Sequence, residues 1–134
     1  MDEKLRYHVR SRAKNCCECC KLPSEYSDAP FQLDHIIAET HGGPTTPQNS
    51  AWSCLYCNRF KGPNLSGWDQ ELQAVIRFFH PRTDQWPEHF QWDSPILRGI
   101  TSIGKVTVQL LRINEDNAVQ VRQLLLDLGI ALSN

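Results

Sequence analysis

The sequence predicts a small α+β protein in which two cysteine pairs staple a β-β-α core. A helix precedes that core, and a mixed extension ending in helices follows it. Three observations predict this. Two Cys-x-x-Cys pairs flank a strand–loop–strand–helix pattern, a basic helical segment runs into the first pair, and apolar residues recur at helical spacing near the C-terminus. A chain of 134 residues fits one domain with a modest core.

Residues 4–14 read as a short helix, with Leu5 and Val9 one turn apart on its apolar side. Pro23, Ser24, Ser27, Asp28 and Pro30 mark a loop. Phe31 to Ile37 reads as a strand, with Phe31, Leu33, His35 and Ile37 expected on one face. The run from His41 to Pro47 forms a broad loop, and Ser50 to Cys54 is the return strand. A helix then runs from Leu55 to about Lys61 and stops at Gly62-Pro63. Beyond it, Leu72, Val75, Ile76 and Phe79 predict a helix over 70–79, and Trp86–Trp92 with Ile96–Ile100 predict a hairpin. Two helical stripes close the chain: Ile103, Val106, Leu110 and Ile113, then Ala118, Val121, Leu125 and Leu128, stopped by Gly129. Residues 1–64 are therefore assigned to the stapled core. Residues 65–134 are assigned to an α+β extension packed on it, one domain overall.

Composition is ordinary for a soluble protein, and no apolar run is long enough to span a membrane. The start, Met1-Asp2-Glu3-Lys4, lacks the apolar stretch of a signal peptide, so a cytoplasmic setting is expected. In a reducing compartment the six cysteines favour metal over disulfides. The formal net charge of −1 hides a basic run of Lys4, Arg6, Arg10, Arg12 and Lys14, either a solvated helix face or a surface for phosphate.

Two cysteine pairs suffice for a tetrahedral sulfur site with no vacant position, which makes its zinc structural. The run Cys16-Cys17-Glu18-Cys19-Cys20 satisfies the first pair in two registers, Cys17 with Cys20 or Cys16 with Cys19. Cys54 and Cys57 form the second pair. Asp34 and Asn58 are oxygen donors suited to a hard divalent ion such as magnesium or manganese. His35 beside them titrates near neutral pH and can deprotonate water, and metal plus base is what phosphodiester hydrolysis requires. Asp34 and His35 are strand neighbours, so a twist or bulge is expected to aim both at one site. Arg59 and Lys61 are candidate nucleic-acid contacts at a helix end otherwise left to solvent. His41, His80 and His89 read as incidental or structural, and the four tryptophans as core.

The segment from about Arg12 to Asn64 resembles the HNH endonuclease family, whose core is a β-β-α metal fold. The matching residues are Cys17 and Cys20, Leu33-Asp34-His35-Ile36, His41-Gly42-Gly43, Asn49, and Cys54-x-x-Cys57-Asn58-x-x-Lys61-Gly62. The resemblance implies that His35 is the general base, that Asn49 orients it through the loop, and that Asp34 and Asn58 hold the catalytic ion. Asn58 stands where the family's pattern has histidine, an accepted variant. The resemblance also selects Cys17 over Cys16. What it implies is an HNH-type endonuclease hydrolysing DNA, with double-stranded DNA as the expected partner. The competing readings are a non-catalytic zinc module that binds nucleic acid or protein, and an HNH nuclease acting on RNA or branched DNA.

Overall fold

The structure, a computed structural model, describes residues 2–133. They fall into two compact units, residues 2–64 with His80–Thr83, and Leu65–Phe79 with 84–133.

The first unit opens with helix α1 (Glu3–Arg12). Its N-cap Asp2 accepts the Lys4 N–H at 2.9 Å, Glu3 lies in the first turn, and Arg10 and Arg12 in the last, all matched to the helix dipole. Leu5 and Val9 are buried, as their spacing predicts. The chain then folds into a knuckle: Cys17 N–H donates to Leu22 O and Lys21 N–H to Cys17 O, both at 2.9 Å, with Lys21 left-handed at φ 65°.

Strands β1 (Gln32–His35) and β2 (Ser50–Ser53) form an antiparallel ribbon, followed by helix α2 (Leu55–Lys61). Cys54 caps α2 by accepting the Cys57 N–H at its Sγ, and Gly62 ends it at φ +51°. The predicted strand–loop–strand–helix order is therefore present. The expected facing of β1 is not. Phe31, Asp34 and Ile36 are buried, Leu33 and His35 half-buried, and Ile37 is exposed. The reason is α2, whose Asn58 and Lys61 reach Gln32 and Asp34 and so cover the face carrying the acid. Helix α1 packs against β2, where Arg6 lies over the Trp52 ring at 5.0 Å and Arg12 donates to Pro47 O and Ser50 O.

The second unit departs further from expectation. No helix spans 70–79: strands β3 (Ser66–Asp69) and β4 (Ala74–Arg77) form a hairpin instead. Asp69 Oδ1 accepts the Glu71 and Leu72 N–H groups, and Gln73 turns the chain at φ 52°. The i, i+3, i+4 spacing of Leu72, Val75, Ile76 and Phe79 mimicked a helical stripe, yet the segment is a β-branched and aromatic run too short to settle its period. Leu72 and Val75 are exposed.

A short helix α3 (Trp86–His89) leads into the hairpin of β5 (Phe90–Asp93) and β6 (Ile96–Gly99), so the expected hairpin begins four residues later than read. Phe79, Trp86, Phe90 and Trp92 cluster in successive ring contacts of 5.2–6.0 Å. Trp52 and Trp86 are core as expected, Trp92 is half-buried, and Trp68 is about half exposed.

Helices α4 (Ser102–Leu110) and α5 (Asp116–Asp127) close the chain, and Gly129 adopts φ +80° just beyond α5. The buried line of α5 runs through Arg122 and Leu125, while Val121 and Leu128 are exposed, so the expected stripe is rotated. Arg122 can be buried because its guanidinium donates to Pro95 O and Asn114 Oδ1. Among the described residues no helix is long and apolar enough to cross a membrane.

Candidate functional site

The sulfur atoms of Cys17, Cys20, Cys54 and Cys57 all lie within 4.8 Å of one another, and all four residues are buried. Cys20 Sγ and Cys54 Sγ are 3.8 Å apart, the edge of a tetrahedron whose metal–sulfur bonds are about 2.3 Å. Two local structures bring the pairs together: the knuckle turn at Lys21 and the N-terminus of α2, where Cys54 is both cap and donor. Hydrogen bonds from Cys20, Cys54 and Cys57 hold the Cys17 thiol well below its usual range. Hydrogen bonding with Cys17 and Cys54, together with burial, pushes Cys20 well above it, and the same with Cys20 added raises Cys57. Four buried sulfur donors at this spacing are the set that zinc takes. The cluster is compatible with a structural zinc site. Cys16 and Cys19 are half-buried and lie outside the four-sulfur group.

Beside this cluster, Asp34 is buried on the face of β1 that α2 covers. Lys61 Nζ lies 3.3 Å from Asp34 Oδ1 and 3.2 Å from Oδ2, and donates to the His35 carbonyl at 3.1 Å. Burial raises the Asp34 carboxyl above its ordinary range, while the Lys61 charge and hydrogen bond, and then the His35 charge, pull it back. Asn58, one turn before Lys61 on α2, donates from its carboxamide to Gln32, two residues before Asp34 on the same strand face. Asp34 and Asn58 thus belong to one strand–helix junction.

His35 leaves the strand on the other side. Its Nε2 lies 2.9 Å from Thr45 Oγ1 and 3.4 Å from Glu39 Oε1. The ladder is regular through His35↔Ser50, with no extra residue in either strand, so the expected bulge is absent.

Asn49 ties the loop between β1 and β2 shut. Its Oδ1 accepts the Ile37 N–H at 2.9 Å, and its Nδ2 donates to Ile37 O at 3.0 Å and Pro44 O at 2.8 Å. This loop carries both polar partners of His35. Gly43 lies so close to the Ile37 carbonyl that a Cβ would stand 1.6 Å from its oxygen. His41 Nε2 meets Pro63 O at 3.0 Å on the exposed side of the loop.

The basic run of α1 divides in two. Arg6 and Arg12 are spent on main-chain carbonyls, while Lys4, Arg10 and Lys14 face solvent. Arg59 is exposed and lies over the Tyr56 ring. Sequence reading missed the buried pair of Glu18 and Arg82. Glu18 accepts the Trp52 N–H at Oε2 and pairs through Oε1 with Arg82, which burial and the Arg12 charge lower to about 10. A lone arginine 64 positions from its partner left no pattern to read. Thr45 and Gln32, the neighbours of His35 and Asn58, were equally silent.

Residues 17–64 match the profile of the HNH endonuclease family. The match spans the cysteine cluster, both strands of the first ribbon, the loop and α2. The resemblance read from the motifs is thereby shown for this segment, just over a third of the chain. No curated protein and no solved structure matches the chain.

Proposed function

We propose that this chain, whose residues 17–64 match the HNH endonucleases, is a divalent-metal-dependent endonuclease that hydrolyses phosphodiester bonds in DNA. The observation that supports it best is the convergence of Asp34, Asn58 and the His35 main chain on one strand–helix junction inside that segment. In this reading Asp34 and Asn58 hold magnesium or manganese, a hard ion suited to oxygen donors. When bound, the ion supplies positive charge to the scissile phosphate. His35 takes a proton from the attacking water, its ring oriented by Thr45 and Glu39. Asn49 acts through the loop as a positioning residue.

Cys17, Cys20, Cys54 and Cys57 hold a structural zinc that takes no part in the chemistry, and Arg59 and Lys61 contact phosphates. Residues 1–64 form the catalytic part, and 65–134 an extension that sets substrate or partner. Double-stranded DNA is the proposed substrate, and the cytosol, where thiols stay reduced, the proposed setting.

The test is incubation of purified protein with plasmid, linear single-stranded DNA and RNA, each with magnesium, manganese or EDTA. Metal-dependent plasmid nicking, lost in EDTA, is expected. Cleavage of RNA alone moves the substrate. Cleavage of nothing under any metal leaves the zinc-module reading, which the pairing of Asp34 with Lys61 favours because that carboxylate already has a partner.

A further inference from the structure

The Lys61 ammonium donates to Asp34 Oδ1 at 3.3 Å and to the His35 carbonyl at 3.1 Å, and stands 3.2 Å from Asp34 Oδ2 as an ion pair. The two side chains are only 12% and 11% exposed. Surface ion pairs are loose and interchangeable, but a pair this enclosed is strongly coupled, since each charge depends on the other for its solvation. The carboxylate it neutralises is the one charged oxygen donor of the proposed catalytic ion site. A hard dication needs those same oxygens, and two cations cannot share them at contact range.

The lysine is also placed to leave. It is the last residue of α2, the helix stops at Gly62, and its flexible four-carbon stem can carry the charge outward. Arginine, with a rigid fork, could not make that exchange as readily.

We infer that Lys61 is a stand-in cation. It occupies the Asp34 carboxylate in the metal-free protein and is expelled when a divalent ion binds. The inference rests on the proposed metal site at Asp34, and it adds a specific consequence: divalent-ion affinity is set by competition with a side chain of the same protein. Lys61 is then a metal gate as well as a phosphate contact. Its charge becomes available to nucleic acid only once the ion is in place.

Two measurements on the full zinc-loaded chain test this. Manganese binding is followed by the electron paramagnetic signal of free ion at mildly alkaline pH, in wild type and Lys61→Gln, with zinc content assayed in both. Lys61→Gln keeps a polar side chain and removes the competitor. Manganese should bind it on the order of tenfold more tightly, at unchanged zinc. In wild type, acetylation of Lys61 by an amine reagent, located by mass spectrometry, should be slow without manganese and faster with it. This second measurement holds even if Lys61→Gln folds poorly. Equal or weaker manganese binding by folded Lys61→Gln overturns the gate, as does Lys61 labelling that manganese leaves unchanged or slows. No manganese binding in either protein overturns the metal site and the gate together. An intact gate with no cleavage of any nucleic acid overturns the nuclease reading alone.

Discussion

Asn49 shows how one side chain can hold a whole loop. Its carboxamide answers one N–H and two carbonyls of the loop that carries Thr45 and Glu39. Asn49→Ala removes those three part-buried bonds, each worth about 0.5–1.5 kcal/mol. The expected outcome is a lower urea midpoint together with slower cleavage. His35→Ala should behave differently, losing about 10²–10⁴-fold in cleavage with zinc and melting temperature unchanged. Wild-type nicking by that variant would remove His35 as the base.

Asp34 adds a pH dependence. Burial raises its carboxyl, so the folded protein holds that proton more tightly than the unfolded chain. Its contribution to stability is therefore full below the ordinary carboxylate range and is lost as pH climbs through the raised value. The ionised form that a metal needs appears only above that value. Lys61→Gln removes the charge that opposes the shift, so in the metal-free protein the Asp34 carboxyl should titrate at higher pH than in wild type, followed by carboxyl NMR. A titration that stays put or moves down excludes Lys61 as the charge that holds it back.

At the scale of elements, α2 was legible because its signals are local and agree. A cysteine cap, a helical stretch and a terminating Gly62-Pro63 leave one solution. The 70–79 segment was not, because its helical spacing competed with strand-forming residue types, and the turn depends on Asp69 accepting two N–H groups. The stripe on α5 misled for another reason: Arg122 is buried by distant acceptors that no periodicity reveals. Of the candidate site, residue identities and their grouping on the β-β-α elements could be read. The side to which His35 points could not, since it depends on Thr45 across a loop.

The residue that joins the sulfur cluster to the helix is Cys54, whose Sγ belongs to the four-sulfur group and also caps α2. Cys54→Ser should lose the roughly one zinc per chain and lower the melting temperature, since such ions supply folding free energy. Retained zinc at unchanged melting would refute a structural metal there. Cys17→Ser should lose zinc as well, and Cys16→Ser should keep it. Elemental analysis of all three decides the register.

On the scale of the whole molecule, the first unit is not continuous in sequence, because His80–Thr83 belongs to it and brings Arg82 to Glu18. Both side chains are nearly buried, so removing the arginine strands a carboxylate. Breaking such a pair costs about 3–5 kcal/mol. Arg82→Met should therefore melt markedly lower than wild type, and a chain ending at residue 64 should show the same weakness even when zinc is supplied. Equal stability of the short chain and the full one would mean that Glu18 finds its solvation elsewhere.

That return segment also imposes an order on biosynthesis. The cysteines, through Cys57, leave the ribosome before Arg82 does, by an interval on the order of seconds at ordinary translation speeds of about 5–20 residues per second. During that interval all four sulfur donors are available while Glu18 still lacks the partner its burial needs. That partner arrives only when Arg82 emerges. A translational pause placed between the two would lengthen the exposure of the thiols to oxidants and competing ions, and protein made at two translation speeds should then differ in zinc content.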